Sequence, residues 1–135
     1  YRAVDAAKTL SEQYGMEAEI INIHSLVPLV YSKIVESVKK TGKVVLISDA
    51  CARGSFLKDV AQNITELCFD DLEAPPVVVG ARNWITPPFE FDPYFFPQAD
   101  WILDAIHEKL MPLPGYVPKN GCTETEQMRR ARLGV

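Results

Sequence analysis

Apolar residues return at spacings of three and four near the start of the chain. Ala3, Ala7, Leu10 and Tyr14 fall on one face, which predicts a helix stopped by Gly15. Ala18 to Ile23 (AEIINI) then reads as a strand rich in β-branched residues, and His24-Ser25-Leu26-Val27-Pro28 leads out of it. Ile34, Val35 and Val38 make the next helical stripe, with Lys33, Glu36, Lys39 and Lys40 facing away and Gly42 as the stop. Val44-Val45-Leu46-Ile47 is an unbroken apolar run, as expected of a strand covered on both faces and among the most buried positions. Phe56, Val60, Ile64 and Leu67 set out a third helix, and Pro75-Pro76 punctuates before a short buried strand at Val77-Val78-Val79. Pro87, Pro88, Pro93 and Pro97 forbid a long helix between Gly80 and Pro97. A last helix starts near Pro97, carries Trp101, Ile102, Ala105, Ile106 and Leu110, and ends at Pro112.

Strands separated by helices of this length predict an α/β fold: a three-layer α/β/α sandwich on an open, mainly parallel sheet with right-handed crossovers. Strands are expected near 18–23, 43–48 and 76–80, which is few for an open sheet. The chain also opens without Met and directly in a helical pattern. Both features lead to the expectation of an α/β domain over residues 1–111 that lacks its first strand and belongs to a longer polypeptide. Residues 112–135 differ in character. Pro114, Gly115, Pro118 and Gly121 make an extended tail, read as solvated rather than docked. Within it Thr123 and Glu126 have the spacing of a capping box, opening a short basic helix with Arg129, Arg130 and Arg132.

Composition narrows the function. Of 135 residues, 47% are hydrophobic and 24% charged, ordinary for a globular domain, and the formal net charge is -4. Nucleic acid and anionic membranes need clustered Lys and Arg, so neither is an expected partner. No apolar run approaches the roughly 18 residues of a membrane span. Cys51, Cys68 and Cys122 are few, odd in number and far apart, which suggests neither a disulfide framework nor a zinc site and makes a reducing cytoplasm the expected location.

Candidate chemistry is sparse. His24 stands at the C-terminal end of an expected strand, where ligands gather in open α/β sheets, but a polar turn residue is the better reading. His107 sits among apolar positions and reads as structural. Asp49 follows a strand and could bind a metal, accept a phosphoryl group or cap a helix. Arg53-Gly54-Ser55 precedes a helix whose free N–H groups could hold an anion, but it lacks the Lys and second Gly of a P-loop. No catalytic, cofactor-binding or metal-binding set emerges.

Read in order, several segments resemble the C-terminal domain of the beta subunit in thiamine-diphosphate-dependent 2-oxo acid dehydrogenases, which is transketolase C-terminal-domain-like. Ile21-Asn22-Ile23-His24-Ser25-Leu26-Val27-Pro28-Leu29 is similar to the family's DLRTLxPLD, and Ile34 to Val45 to its helix, glycine and strand. Ser48-Asp49-Ala50 and Gly54-Ser55-Phe56 resemble its HEA and GGF, Cys68 to Pro75 (CFDDLEAP) its AFDYLDAP, and Phe95-Phe96-Pro97 its YLP. The likeness runs from residue 1 to about 111. His24 replaces the DLR arginine, Ser48 the HEA histidine and Ser55 the second glycine of GGF, while Arg82-Asn83-Trp84-Ile85-Thr86-Pro87 stands in place of PDTPxPY.

The resemblance implies an oxidoreductase subunit acting on pyruvate, branched-chain 2-oxo acids or acetoin. It places thiamine diphosphate and magnesium between other domains, so residues 1–135 alone are expected neither to bind the cofactor nor to decarboxylate. The expected partners are the alpha subunit, a second beta subunit, and the subunit-binding domain of the acyltransferase core. Glu73 corresponds to the acidic residue of the LDAP turn that takes part in that docking, and Asp70 and Asp71 stand beside it. Trp84, Phe89, Phe91, Tyr94, Phe95 and Phe96 either cover the domain's own core or form a patch for a partner subunit. The alternatives are the C-terminal domain of a transketolase-like or deoxyxylulose-phosphate-synthase-like enzyme, and a free-standing ligand-binding α/β domain. The last requires a complete sheet and an acidic or phosphate-binding cluster.

Overall fold

The structure, a computed structural model, describes residues 1–120. The expected tail helix with Thr123, Glu126, Arg129, Arg130 and Arg132, and also Cys122, lie outside the described residues.

Helix α1 (Arg2–Tyr14) buries Ala6 and Leu10 and ends where Gly15 turns left-handed at φ 64°, a conformation that costs glycine little. Helix α2 (Ser32–Thr41) buries Ile34 and Val38 and ends the same way at Gly42. Strand β1 (Val45–Cys51) follows, then α3 (Phe56–Leu67), which buries Val60 and Ile64, and strand β2 (Val77–Ala81). A short turn of helix, α4 (Asp92–Phe95), and a longer helix, α5 (Ala99–Lys109), complete the described elements.

β1 and β2 are parallel, with Val45 opposite Val77, Leu46 opposite Val78 and Ile47 opposite Val79. Successive side chains point to opposite faces, so the sheet separates two cores. Val45, Ile47, Val77 and Val79 meet Ala6 and Leu10 of α1 and Ile102, Leu103 and Ile106 of α5. Leu46 and Val78 meet Ile34 and Val38 of α2 and Val60 and Ile64 of α3. Helices on both faces of a parallel sheet are the three layers the apolar pattern predicts.

Two expectations are corrected. The strand over 18–23 is not formed: residues 15–25 carry neither helix nor strand, and Ile20 and Ile21 are 50% and 43% exposed. A strand persists only by hydrogen bonds to a neighbour. Among the described residues none lies alongside this segment, because an open slot separates it from β1. What holds it is an ion pair from Glu19 to Lys40 of α2, which keeps the Glu19 carboxyl below the usual range, and the packing of Ile23 on the α2/α3 core. The second correction concerns the run Val44 to Ile47. Only Leu46 is buried; Val45 and Ile47 are half-buried because they border the same slot.

β1 and β2 converge at their C-terminal ends, where a Cβ on Gly80 would stand 2.5 Å from the Ala50 carbonyl oxygen and 2.7 Å from the Ala52 nitrogen. Backbone is on both sides, so nothing flexible can give way. Gly80→Ala is expected to destabilise the domain by about 1–3 kcal/mol, the usual cost of overpacking. Thermal unfolding checks it, and an unchanged midpoint would show that the strand ends part freely.

Candidate partner-docking site

The acidic turn is built on the end of α3. Cys68 closes that helix, and its carbonyl accepts the N–H groups of Asp71 (2.9 Å) and Leu72 (3.1 Å), which winds Phe69–Asp71 into one tight turn. Leu72 tucks toward the α2/α3 core while Phe69, Asp70 and Asp71 face out, Phe69 at 73% exposure. Burial, with Asp71 adding to it, pushes the Cys68 thiol upward, so it is a protonated core thiol.

Glu73 is set by different contacts. Its N–H donates to the Gly42 carbonyl at 2.8 Å, and its side chain lies across Gly42, where an added Cβ would come within 2.8 Å of Glu73 Cγ. From there the carboxylate pairs with Lys43. Spacing does not reveal this partner, because the fold brings Lys43 up from 30 positions away. Asp70 and Asp71 have no ion pair among the described residues. The three carboxylates therefore share one exposed turn, and only Glu73 is partly neutralised.

The stretch after β2 forms a second exposed surface. Arg82 is buried, donates its N–H to the Phe95 carbonyl at 3.0 Å, and lays its guanidinium 3.9 Å from the centre of the Trp101 ring and 5.9 Å from that of Trp84. Phe95 is buried and meets Phe96 edge to face at 4.8 Å, so these two belong to the domain. Trp84, Phe89, Phe91 and Tyr94 are exposed, together with Ile85. The aromatic stretch thus divides, and most of its rings point outward as an apolar surface.

The other candidates do not converge. His24 is exposed beyond the slot. His107 is structural, as its position suggests: its Nδ1 accepts the Leu113 N–H at 2.9 Å, and its ring lies 5.4 Å from that of Tyr116. Asp49 is exposed, while Ser55 ahead of α3 gives its hydroxyl to the Ala52 carbonyl, so its side chain caps no helix N–H, although its own carbonyl accepts the Lys58 N–H at 2.9 Å. Among the described residues no three His, Cys, Asp or Glu side chains could hold a metal ion together.

Asp104 escaped the sequence reading. It is a buried carboxylate whose Oδ1 accepts the Tyr116 hydroxyl (2.6 Å) and the Lys119 N–H (3.0 Å), and whose Oδ2 accepts the backbone and side-chain amides of Asn120 (2.9 and 2.8 Å). Leu113 is buried in the α1/α5 core. Residues 113–120 are therefore fastened to α5, where the turn residues of the sequence suggested a solvated arm. The one clue was an acid on the apolar side of a helix.

Residues 1–102 match the family described as "Transketolase, C-terminal domain". A pyruvate dehydrogenase E1 component subunit beta from Leifsonia xyli subsp. xyli is 32% identical over 108 residues, covering 80% of this chain and 32% of that protein. The mitochondrial 2-oxoisovalerate dehydrogenase subunit beta 2 of Arabidopsis thaliana is 36% identical over 97 residues, covering 71% and 26%. An acetoin:2,6-dichlorophenolindophenol oxidoreductase subunit beta from Cupriavidus necator is 35% identical over 74 residues, covering 55% and 22%. The chain spans about a third or less of the length of these relatives.

Proposed function

The chain belongs to the transketolase C-terminal domain family, and from that premise we propose that it is the assembly and partner-docking domain of the beta subunit of a 2-oxo acid dehydrogenase. The observation that carries this reading is the agreement among relatives: beta subunits named for pyruvate, 2-oxoisovalerate and acetoin all align with this domain. The substrate lies within that set of three. Thiamine diphosphate and magnesium serve the whole enzyme and are bound by its other domains. The free thiols Cys51 and Cys68 suit a reducing compartment, the cytoplasm in our reading.

Two surfaces serve the partners. The exposed Trp84, Ile85, Phe89, Phe91 and Tyr94 suit the apolar contact of a second beta subunit or of the alpha subunit. The turn of Asp70, Asp71 and Glu73 suits a basic partner, the subunit-binding domain of the acyltransferase core. Opposite an Arg or Lys these carboxylates speed encounter and fix orientation. Lys43 holds Glu73 in place and also competes for it, so the pair must open or share its proton donors when the partner arrives.

In the assembled enzyme, Glu73→Gln is expected to weaken binding of the subunit-binding domain by about 1 kcal/mol, roughly fivefold, more strongly at low salt. Decarboxylation of free substrate stays intact. Calorimetric titration at two salt concentrations tests this. Unchanged affinity at low salt returns Glu73 to a solvated turn held by Lys43, while loss of decarboxylation with binding retained contradicts the assignment of catalysis to other domains.

A further inference from the structure

Along the edge of β2 that faces away from β1 the described residues leave a groove, about 610 Å³ in volume. α5 forms one wall, and Cys51, the turn after β1 and the first turn of α3 form the other. We propose that residues 121–126 lie in this groove, strapping the edge of β2 to α3 and covering the Cys51 thiol. The proposal stands apart from the enzyme reading and fails separately from it.

The chain is delivered to the groove. Asp104 of α5 accepts the N–H groups of Lys119 and Asn120, and Asn120 itself lines the groove. The next residue therefore starts at the rim. Six residues of extended chain reach about 20 Å at roughly 3.3 Å each, enough to run through a groove of this volume.

The strand edge calls for an occupant. The Val77 N–H donates to the Val44 carbonyl at 3.1 Å, and Val45 stands opposite Val77. In a parallel ladder this phase turns the amides of residues 77 and 79 toward β1, and those of Val78 and Gly80 toward the groove. Neither outward amide meets a backbone partner among the described residues, although Gly80 is buried. Buried amides are seldom left without an acceptor, and the next outward one, that of Arg82, has the Phe95 carbonyl. Chain lying in the groove brings carbonyls to Val78 and Gly80.

Charge then selects the segment. The groove is lined by Arg53, Lys58, Arg82 and Lys109 against Glu108 and Asp104, and Asp104 already accepts four donors. Residues 121–126 bring Glu124 and Glu126 and no cation. Two positions apart in extended chain, these carboxylates point the same way, so both can face Arg53 and Lys58 on the α3 side. Thr123 and Thr125 alternate with them, and β-branched residues suit a sheet edge. The basic run of Arg129, Arg130 and Arg132 comes only after this stretch, past the cationic walls. The competing arrangement is the capping box of the sequence, in which the Glu126 carboxylate turns back to the Thr123 amide.

The test follows alkylation of Cys51 by iodoacetamide in the full-length protein, read by mass spectrometry. Cys51 is half-buried in the groove wall, with its thiol donating to Asn83 Oδ1 at 3.3 Å. Cys68 is buried in the α2/α3 core and reports on unfolding. Glu124→Lys with Glu126→Lys is expected to speed alkylation of Cys51 about 10-fold while Cys68 stays unreactive. Arg53→Glu with Lys58→Glu should do the same. Combining all four substitutions restores slow alkylation, because the ion pairs form again with their signs exchanged. Equal alkylation in the unsubstituted protein and in both two-residue variants overturns the proposal. So does a four-residue variant that reacts as fast as the two-residue ones, the result expected of a capping box alone. Protection of Cys51 by inorganic phosphate in the unsubstituted protein also overturns it, since the groove is then open to a small anion.

Discussion

Asp104→Ala is expected to lower the unfolding free energy by about 3 kcal/mol and to release residues 113–120 from α5, the scale of breaking a buried charged hydrogen-bond network. The carboxylate is 5% exposed and accepts four donors, from Tyr116, Lys119 and twice from Asn120. Removing it leaves all four facing a void at the base of the arm. The neighbouring contacts, Leu113 N–H on His107 Nδ1 and the Tyr116 ring on that of Tyr14 at 6.5 Å, then lose their anchor. Asp104→Asn keeps one accepting oxygen and turns an amide toward two donors, so its cost falls between Ala and wild type. Denaturant unfolding with hydrogen exchange at Lys119 and Asn120 measures both effects. An Ala variant within about 0.5 kcal/mol of wild type, with Asn120 still protected, refutes the clasp.

The same clasp sets a pH dependence. Burial first, and then the hydrogen bond to the Asp104 carboxylate, push the Tyr116 phenol above its ordinary value. A raised value in the folded state means that the protonated phenol is the stabilising form. Its contribution is complete below the usual tyrosine pKa near 10 and is lost as pH climbs through the higher folded value. Stability attributable to Tyr116 is therefore level through neutral pH and declines only in strong alkali, and Tyr116→Phe removes that decline.

The helices were legible because each carries its own instructions. The stripes Ile34–Val38 and Val60–Ile64, and the stops at Gly15 and Gly42, are local in sequence and need no neighbour to be read. Strand β2 is an unbroken apolar run, and β1 opens on one, Val45-Leu46-Ile47, then continues through Ser48 and Asp49, which the apolar pattern does not mark. Residues 18–23 have equal strand character, but a strand is completed by its neighbour, and sequence alone does not show whether one is present. Site residues divide in the same way. The carboxylates of Asp70, Asp71 and Glu73 are adjacent and visible as a cluster, whereas Lys43 reaches Glu73 only because the turn folds back on Gly42. Asp104 and Arg82 carry no local mark of their roles. Their partners are a distant arm and an indole from α5, and neither is signalled by spacing.

That indole supports the second large effect. Trp101→Ala is expected to cost about 3–5 kcal/mol, the range for emptying a buried aromatic site, and to loosen the whole stretch from Arg82 to Phe96. The ring is 9% exposed and does two things at once. One part fills the α1/α5 core beside Val79 and Ile102, and its face carries the buried Arg82 guanidinium at 3.9 Å. Arg82 in turn ties the base of the stretch through its N–H to the Phe95 carbonyl, so the exposed Phe89, Phe91 and Tyr94 are displayed from a fixed frame. Without the ring the guanidinium loses a cation–π contact worth about 1–2 kcal/mol when desolvated, and the frame opens. Trp101→Phe keeps a smaller aromatic face and should retain the frame at an intermediate stability. Hydrogen exchange at the Arg82 amide separates the two roles: it accelerates in Trp101→Ala and stays slow in Trp101→Phe. If the proposed assembly role holds, sedimentation of the full enzyme should show weaker subunit pairing for the Ala variant at temperatures where the domain is still folded. If the Arg82 amide is equally protected in Trp101→Ala and wild type, the ring is core filling alone, and the aromatic surface owes its shape to other contacts.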